Sequence, residues 1–105
     1  MAWVVLVIGG VFEVVWAYAM KQSHGFTKPW PSVVALVGVV LSLALLSWSM
    51  RSLPLGTAYM IWTGIGAVGA FAVGILVLGE PANPMRLVAG LLILGGIVMM
   101  KLATP

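Results

Sequence analysis

The chain has 105 residues, of which 63% are hydrophobic and only 7% are charged, and its mean hydropathy is +1.21. A soluble domain carries about 25% charged residues because its surface faces water, so this composition excludes an ordinary soluble domain. A membrane-spanning helix needs about 20 apolar residues. We therefore predict an all-α integral membrane protein whose single domain, residues 1–105, consists of four transmembrane helices and short links.

The breaks between the apolar runs predict four helices, at about residues 2–20, 30–50, 57–78 and 85–102. Pro31 suits the first turn of the second helix, and Asn83 followed by Pro84 is typical of an N-cap and first helical position. The first run contains the small-x-small pattern Ala17-Tyr18-Ala19. It lacks a basic region before its apolar stretch, however, so we expect a retained helix rather than a cleaved signal peptide.

The basic residues divide almost evenly between the two sides of the membrane. Four spans place both termini and the second link on one side, with Arg51 and Lys101, and leave Lys21, Lys28 and Arg86 on the other. Orientation normally follows a clear excess of Lys and Arg on one side. The weak bias predicts insertion in either orientation, and dominance of one weakly favoured orientation is the alternative.

Several function classes have no support in the sequence. The chain contains no cysteine, so disulfide and thiolate chemistry are excluded, and the lone His24 is expected to have no role. No basic cluster indicates nucleic-acid binding. We find no nucleophile–base pair and no metal-ligand cluster, so neither an enzyme nor a metal or cofactor site is expected.

Glu13 is the one charged residue deep inside a predicted span. Such a side chain costs about 3 kcal/mol or more at mid-membrane and is tolerated where it faces the bundle interior or a wet cavity, so it marks a functional site by default. The alternative is a protonated carboxyl that only hydrogen-bonds two helices together. Asn or Gln would serve that purpose without the risk of ionisation.

Helical spacing predicts which residues surround Glu13. Gly9 and Gly10 precede it by one turn and are expected to leave space beside the carboxylate, and Trp16 follows by one turn. Ser42 lies near the middle of the second span. Its hydroxyl could bond the carboxylate or, alternatively, the backbone of its own helix.

The third span carries a polar face and a group of glycines. Tyr59, Trp62 and Thr63 fall at i, i+3 and i+4 and are expected to share one face. Gly64 and Gly66 follow in the same helix. They are candidates for a hinge, and close helix packing is the alternative.

Two carboxylates from two chains, flanked by indole rings, describe a site for a cation. Carboxylate oxygens accept hydrogen bonds from planar donor groups, and indole faces attract cations. Trp16 and Trp62 lie inside their spans, away from the aromatic belt expected near span ends, although packing alone is an alternative role for both rings. A proton and a cation would compete for such a site, as a proton-coupled exchanger requires.

A second chain is expected because four helices form only a thin bundle around a polar path. Small residues allow membrane helices to approach closely, although glycine is also common in membrane helices generally. The small residues that offer a dimer contact in the fourth span are Ala89, Gly90, Gly95 and Gly96.

Three segments resemble the small multidrug resistance family: FEVVWA at 12–17, GFT at 25–27, and LPLGTAYMIWTGIGA at 53–67. The resemblance covers essentially the whole chain. Within the family the sequence is most similar to the guanidinium exporter subtype, because Phe12 and Trp16 stand where multidrug exporters have Ala and Gly, and because Lys101 is present. Met60 replaces an alanine that is usual in this subtype.

The resemblance implies an antiparallel homodimer in the bacterial inner membrane that exchanges guanidinium for protons. It implies that Glu13 binds substrate and proton alternately, and that Ser42 and Trp62 hydrogen-bond its carboxylate. The residues that would line or support the pocket are Gly10, Trp16, Ser42, Tyr59, Trp62, Thr63 and Lys101. A cation at Lys101 also complements the helix dipole in the last turn.

Two other functions stay open at this point. Export of quaternary ammonium and other lipophilic cations would use the same mechanism in a roomier pocket, and Trp16 favours the narrower site. A non-transporting membrane subunit, or half of an obligate heterodimer, is the alternative from another class. Heterodimeric relatives tend to have strongly biased loop charges, which this chain lacks.

Overall fold

The computed structural model describes residues 1–104 and contains four helices: α1 (Ala2–Gln22), α2 (Pro29–Ser49), α3 (Leu55–Leu76) and α4 (Pro84–Ala103). All four are long and apolar enough to cross a membrane. At about 1.5 Å per residue, each spans roughly the 30 Å of a hydrocarbon core. The predicted four-helix membrane fold is confirmed, and every predicted helix end lies within two residues of the observed one.

The helix ends follow from residues that stop or start a helix. Pro29 occupies the first position of α2, one residue before the predicted start. Asn83 caps α4 as predicted, because its side-chain oxygen accepts a hydrogen bond of 2.9 Å from the backbone N–H of Arg86. Gly79 follows α3 with φ +71°, a left-handed conformation that favours glycine.

The chain alternates between two sides as four spans require. The Ser49 hydroxyl lies 3.4 Å from the carbonyl oxygen of Ala2, so the end of α2 adjoins the start of α1. The hydroxyls of Thr57 and Thr104 are also 3.4 Å apart, so the end of α4 adjoins the start of α3. The termini and the second link therefore share one side, on which Arg51 also lies.

The core lies among the first three helices. α1 packs against both α2 and α3, whereas α4 packs against α3 and contributes no buried residue. The described chain measures 43 × 34 × 17 Å. The shortest of these dimensions is half of the next, so the chain is a slab. The buried cluster at its centre consists of Leu6, Leu46, Ala58, Ile61 and Trp62.

The glycines of α1, Gly9 and Gly10, allow other helices to pack closely and do not leave an open space. A Cβ on Gly10 would lie 2.6 Å from Cγ2 of Ile65, and one on Gly9 would lie 3.3 Å from Cβ of Leu45. The expectation that these two glycines leave space beside the carboxylate is therefore wrong. They let α3 and α2 approach the α1 backbone, which fixes the helix on which Glu13 stands.

Candidate functional site

Glu13 lies half-buried at the interface between α1 and α3. Its carboxyl group contacts the backbone of Gly66, where a Cβ atom would overlap the carboxyl carbon and both oxygens. The Oε2 atom is buried and has no hydrogen-bond partner among residues 1–104. The site therefore presents a carboxylate oxygen that no group of the described chain satisfies.

Ser42 is fully buried and joins three helices. Its hydroxyl donates a 2.7 Å hydrogen bond to the carbonyl oxygen of Gly9 and accepts a 2.9 Å bond from the indole N–H of Trp62. The hydrogen bonds expected from Ser42 and Trp62 to Glu13 are thus not made. The alternative for Ser42, a bond to its own helix backbone, is also wrong, because the acceptor lies on α1.

Trp16 provides a second unpartnered polar group. Its Cβ packs against Gly38 of α2, where an added Cβ would approach to 2.8 Å. The indole Nε1 is buried without a hydrogen-bond partner in the described chain. Trp16 follows Glu13 by three residues, and such pairs are neighbours on a helix. An acceptor and a donor, each costing about 1–3 kcal/mol when buried unpaired, therefore occupy adjacent positions on α1.

The predicted polar face of α3 is divided by the structure. Trp62 is buried among the helices, whereas Thr63 is exposed and Tyr59 is 52% exposed. The rings of Tyr59 and Trp62 lie 5.6 Å apart at an interplanar angle of 41°. This pair therefore connects the interior to the open surface of the chain, where Tyr59 and Thr63 are available to a neighbour.

Lys101 lies away from Glu13. Its Nζ atom is 4.7 Å from the centroid of the Trp3 ring, close enough for a cation–π interaction. Trp3 precedes Glu13 by ten residues, a separation of about 15 Å along a helix. Lys101 stands in the last turn of α4 over the start of α1, and its support of the pocket stays a prediction.

The two glycines of α3 that were predicted as a hinge, Gly64 and Gly66, are both buried at helix contacts. Gly66 faces Glu13, and a Cβ on Gly64 would lie 2.7 Å from Cδ1 of Ile97 on α4. α3 runs without interruption from Leu55 to Leu76. This arrangement supports close packing, the alternative to a hinge, and the hinge stays a prediction.

The small residues of α4 differ in their surroundings. Gly90 packs within the chain, because a Cβ there would lie 3.0 Å from Cε2 of Phe71, and its contact with a second chain stays a prediction. Gly95 and Gly96 have nothing in the described chain near their Cβ positions, and Ala89 is exposed. For these three residues, a dimer contact stays a prediction.

The contacts of Gly66 and Gly38 were not predicted from the sequence. Both glycines stand where another helix crosses, and each touches a residue that was predicted to function, Glu13 or Trp16. Spacing along one helix could not reveal these contacts, because they depend on how two helices are placed against each other. The only signal was the glycine itself, which also occurs elsewhere in these helices.

The site lies in a chain whose whole length matches known transporters. The family model described as Small Multidrug Resistance protein matches residues 1–94. The chain belongs to the small multidrug resistance family. It is 57% identical over 104 residues to a guanidinium exporter of Escherichia coli O6:H1, 56% identical to that of strain K12 and 55% identical to that of Citrobacter freundii, covering 99% of both chains in each case.

Membership of the family fixes the class of function. The relatives are named as exporters, and the four helices of this chain can each cross a membrane. The chain is therefore a multi-pass membrane transporter and not an enzyme, as the sequence predicted.

Proposed function

We propose that the protein exports guanidinium ions across the bacterial inner membrane in exchange for protons, and that Glu13 binds both. The observation that carries this proposal is the buried Glu13 carboxylate oxygen, which has no hydrogen-bond partner in residues 1–104 and lies against Gly66 in the middle of the helices. The relatives named as guanidinium exporters, at 55–57% identity, support the choice of cation.

A guanidinium ion fits the chemistry of this site. It is planar and carries parallel N–H donors, which match the two oxygens of a carboxylate. Its faces bind well to aromatic rings, and Trp16 stands one helical turn from Glu13. Gly66, lacking a side chain, lets the α3 backbone approach the carboxylate closely.

The transporting unit in this proposal is an antiparallel homodimer. One chain forms a slab only 17 Å thick, and it leaves Tyr59 and Thr63 exposed beside Trp62. A second chain would cover this surface and bring a second Glu13 to the site. The near-even distribution of basic residues fits chains inserted in both orientations.

Two carboxylates at one buried site give a physical basis for exchange. Buried charges must be neutralised by a partner, and either a guanidinium ion or protons can do this. Binding one kind of cation therefore releases the other. Gly64 and Gly66 of α3 are the proposed points at which the helix bends when the site opens to the opposite side.

Transport by reconstituted protein tests this function. Proteoliposomes with an acidic interior in a neutral bath should accumulate guanidinium. The Glu13→Gln variant should lose this activity by at least about tenfold, because hydrogen bonds to a charged group contribute about 1.5–3 kcal/mol and about 1.4 kcal/mol corresponds to tenfold. Guanidinium binding should weaken as pH falls, because protons compete for the same carboxylates. The Glu13→Asp variant, which keeps the carboxylate, is the matched control and should retain proton-dependent binding.

Four results would contradict the proposal. Uptake that is the same in Glu13→Gln would exclude Glu13 as the binding group, and uptake independent of the proton gradient would exclude exchange. Stronger binding of a bulky tetra-aryl cation than of guanidinium would instead favour export of lipophilic cations. Failure of the purified protein to transport any cation by itself would favour a subunit of another assembly.

A further inference from the structure

The third link, between α3 and α4, already holds a guanidinium group. The Arg86 side chain donates a 2.6 Å hydrogen bond from Nη1 to the carbonyl oxygen of Pro81. Its Nη2 lies 3.4 Å from Oε1 of Glu80. Its Cζ stands 5.1 Å from the centroid of the Phe71 ring. We call the surroundings formed by the Glu80 carboxylate, the Pro81 carbonyl and the Phe71 ring the guanidinium cradle.

The guanidinium cradle contains the three kinds of contact that this cation requires. A carboxylate oxygen and a carbonyl oxygen accept hydrogen bonds from N–H groups of the planar ion, and an aromatic face attracts its positive charge. Free guanidinium is chemically the head group of an arginine side chain without its tether. A cradle that fits Arg86 therefore fits the proposed substrate by the same contacts.

The ion pair between Arg86 and Glu80 is loose, whereas the hydrogen bond from Arg86 to the Pro81 carbonyl is short. The Arg86 and Glu80 side chains are 33% and 42% exposed, and the 3.4 Å between them exceeds the 2.7–2.9 Å typical of a strong charge-assisted hydrogen bond. Exposed ion pairs of this kind contribute little to stability. A depression lined by Phe71, Arg86 and Gly90 adjoins the head group and gives the side chain room to move.

Glu80 also contacts α3 and lines a cavity beside it. Its carboxyl group lies over Gly74, and it lines a cavity between α1 and α3 together with Val14, Tyr18 and Lys21. Val14 is adjacent to Glu13 in the chain and packs against Gly69, less than one turn beyond Gly66. The guanidinium cradle and this cavity thus share the Glu80 carboxylate, and Lys21 is the other charged residue on the cavity wall.

We propose that the third link is a second, peripheral binding site for guanidinium ions. The free ion displaces the Arg86 head group from Glu80, Pro81 and Phe71 and is then held next to Glu80, which also lines the cavity between α1 and α3. This proposal rests on the proposed function, because that function names the cation. The guanidinium cradle itself shares no residue with the Glu13 site.

The phenylalanine rings allow this site to be observed by itself. The chain contains only three phenylalanines, so their ring signals can be followed by nuclear magnetic resonance in the full-length protein, with Phe71 assigned by Phe71→Leu. All measurements use the Glu13→Gln background, which removes the proposed transport site. Guanidinium is titrated against tetramethylammonium, which has the same charge but no N–H donors.

The expected results differ between variants. In Arg86→Ala the empty cradle should bind guanidinium, and the Phe71 signal should shift and saturate. In the protein that keeps Arg86, half-saturation of the Phe71 shift should require a guanidinium concentration about tenfold higher or more than in Arg86→Ala. The reason is that the tethered Arg86 side chain competes for the cradle at a high effective concentration. Adding Glu80→Gln to Arg86→Ala should weaken the response by a similar factor. Tetramethylammonium should produce no saturable shift in any variant.

The Arg86 side chain supplies a second measurement that needs no change in the link. The chain has two arginines, Arg51 and Arg86, so the side-chain N–H signal of Arg86 can be followed directly. It should move as guanidinium displaces it and stay still with tetramethylammonium. The proposal is overturned by an Arg86 signal that guanidinium leaves unmoved, or by a Phe71 response in Arg86→Ala that Glu80→Gln does not weaken.

These outcomes are separate from those of the proposed function. If the parent protein transports guanidinium but the Phe71 and Arg86 signals do not respond, only the peripheral site is excluded. If both signals respond but the parent protein does not transport guanidinium, the peripheral site stands and the proposed function falls.

Discussion

The contact between Glu13 and Gly66 joins the charged residue of α1 to the backbone of α3. Only glycine at position 66 is compatible with the observed position of the Glu13 carboxyl group, because the Cβ of any other residue would overlap it. The glycine therefore permits this position of the carboxylate because it leaves the space that a Cβ would fill. The same helix carries the glycine and the exposed Tyr59, so movement of α3 would alter both sides of the site together.

Replacing Gly66 by alanine should impair transport without unfolding the protein. The added Cβ displaces the Glu13 carboxyl group, so we expect the rate of guanidinium uptake to fall by about tenfold or more, in keeping with the cost of misplacing a binding group by about 1 Å. Helix stability should not suffer, because alanine is favoured over glycine in a helix by about 1 kcal/mol. Uptake by equal amounts of reconstituted protein measures the effect.

The matched control for this variant is Gly56→Ala on the same helix. A Cβ added at Gly56 would point into open space, since, its two chain neighbours aside, no atom of another residue's side chain or of another helix in the described chain lies within 4 Å of it. Its uptake should equal that of the parent protein. If Gly66→Ala transports as well as Gly56→Ala, the close contact with Glu13 does not matter for function.

Single residues were predicted with unequal success. Glu13 stands out in the sequence because nothing else deep in the spans is charged. Ser42 and Trp62 are buried in the chain, and their part in the pocket stays a prediction. Their hydrogen-bond partners could not be predicted, since the acceptor of the Ser42 hydroxyl is a backbone carbonyl, at Gly9. Backbone acceptors occur at every residue and leave no mark in a sequence.

The helices meet where small residues remove the obstacle of a side chain. Gly38 brings α2 against the Cβ of Trp16, and Gly64 brings α3 against Ile97 of α4. Small residues at such crossings are the usual means by which membrane helices pack. The orientation of the Trp16 ring therefore depends on a glycine in a different helix.

Replacing Gly38 by alanine should destabilise the pairing of α1 and α2. The new Cβ would lie 2.8 Å from Cβ and 3.4 Å from Cα of Trp16, and neither atom can move by a change of rotamer. Overpacking of this kind costs about 1–3 kcal/mol. Unfolding of the protein by increasing sodium dodecyl sulfate, followed by circular dichroism, should shift to a lower detergent concentration. A midpoint equal to that of Gly56→Ala would contradict the prediction.

Helix bounds were predictable because they depend on local chemistry. The prolines at positions 29 and 84 and the cap at Asn83 fix two starts, and polar links separate the apolar runs. Which faces of the helices meet was not predictable from four segments that are apolar all round. Gly10 is an example. The space beside it was expected to be open, but Ile65 of α3 fills it.

The whole chain forms a bundle that cannot shield a polar centre alone. Its 17 Å thickness leaves the aromatic pair of Tyr59 and Trp62 at its edge. The basic residues, two on one side and three on the other, give little preference for one orientation. Both features support the proposed pairing of oppositely inserted chains.

Single cysteines can test this orientation without background, because the chain has none of its own. Ala82→Cys in the third link and Ser52→Cys in the second link place an exposed thiol on opposite sides. If the weak charge bias allows both insertions, an impermeant maleimide should label about half of each variant in intact cells. Nearly complete labelling of one variant and none of the other would show a single orientation.

The position of α4 has a consequence for mutational tolerance. Its backbone packs against α3, its Lys101 side chain lies over the Trp3 ring of α1, and it buries none of its own residues, so most substitutions on its outer face leave the fold of a lone chain unaffected. A saturation library selected for growth in guanidinium would then separate two requirements by location. Positions in α1 to α3 that tolerate no substitution would be those required for folding or for the binding site. Intolerance at Gly95 and Gly96 would instead indicate that association between chains is required.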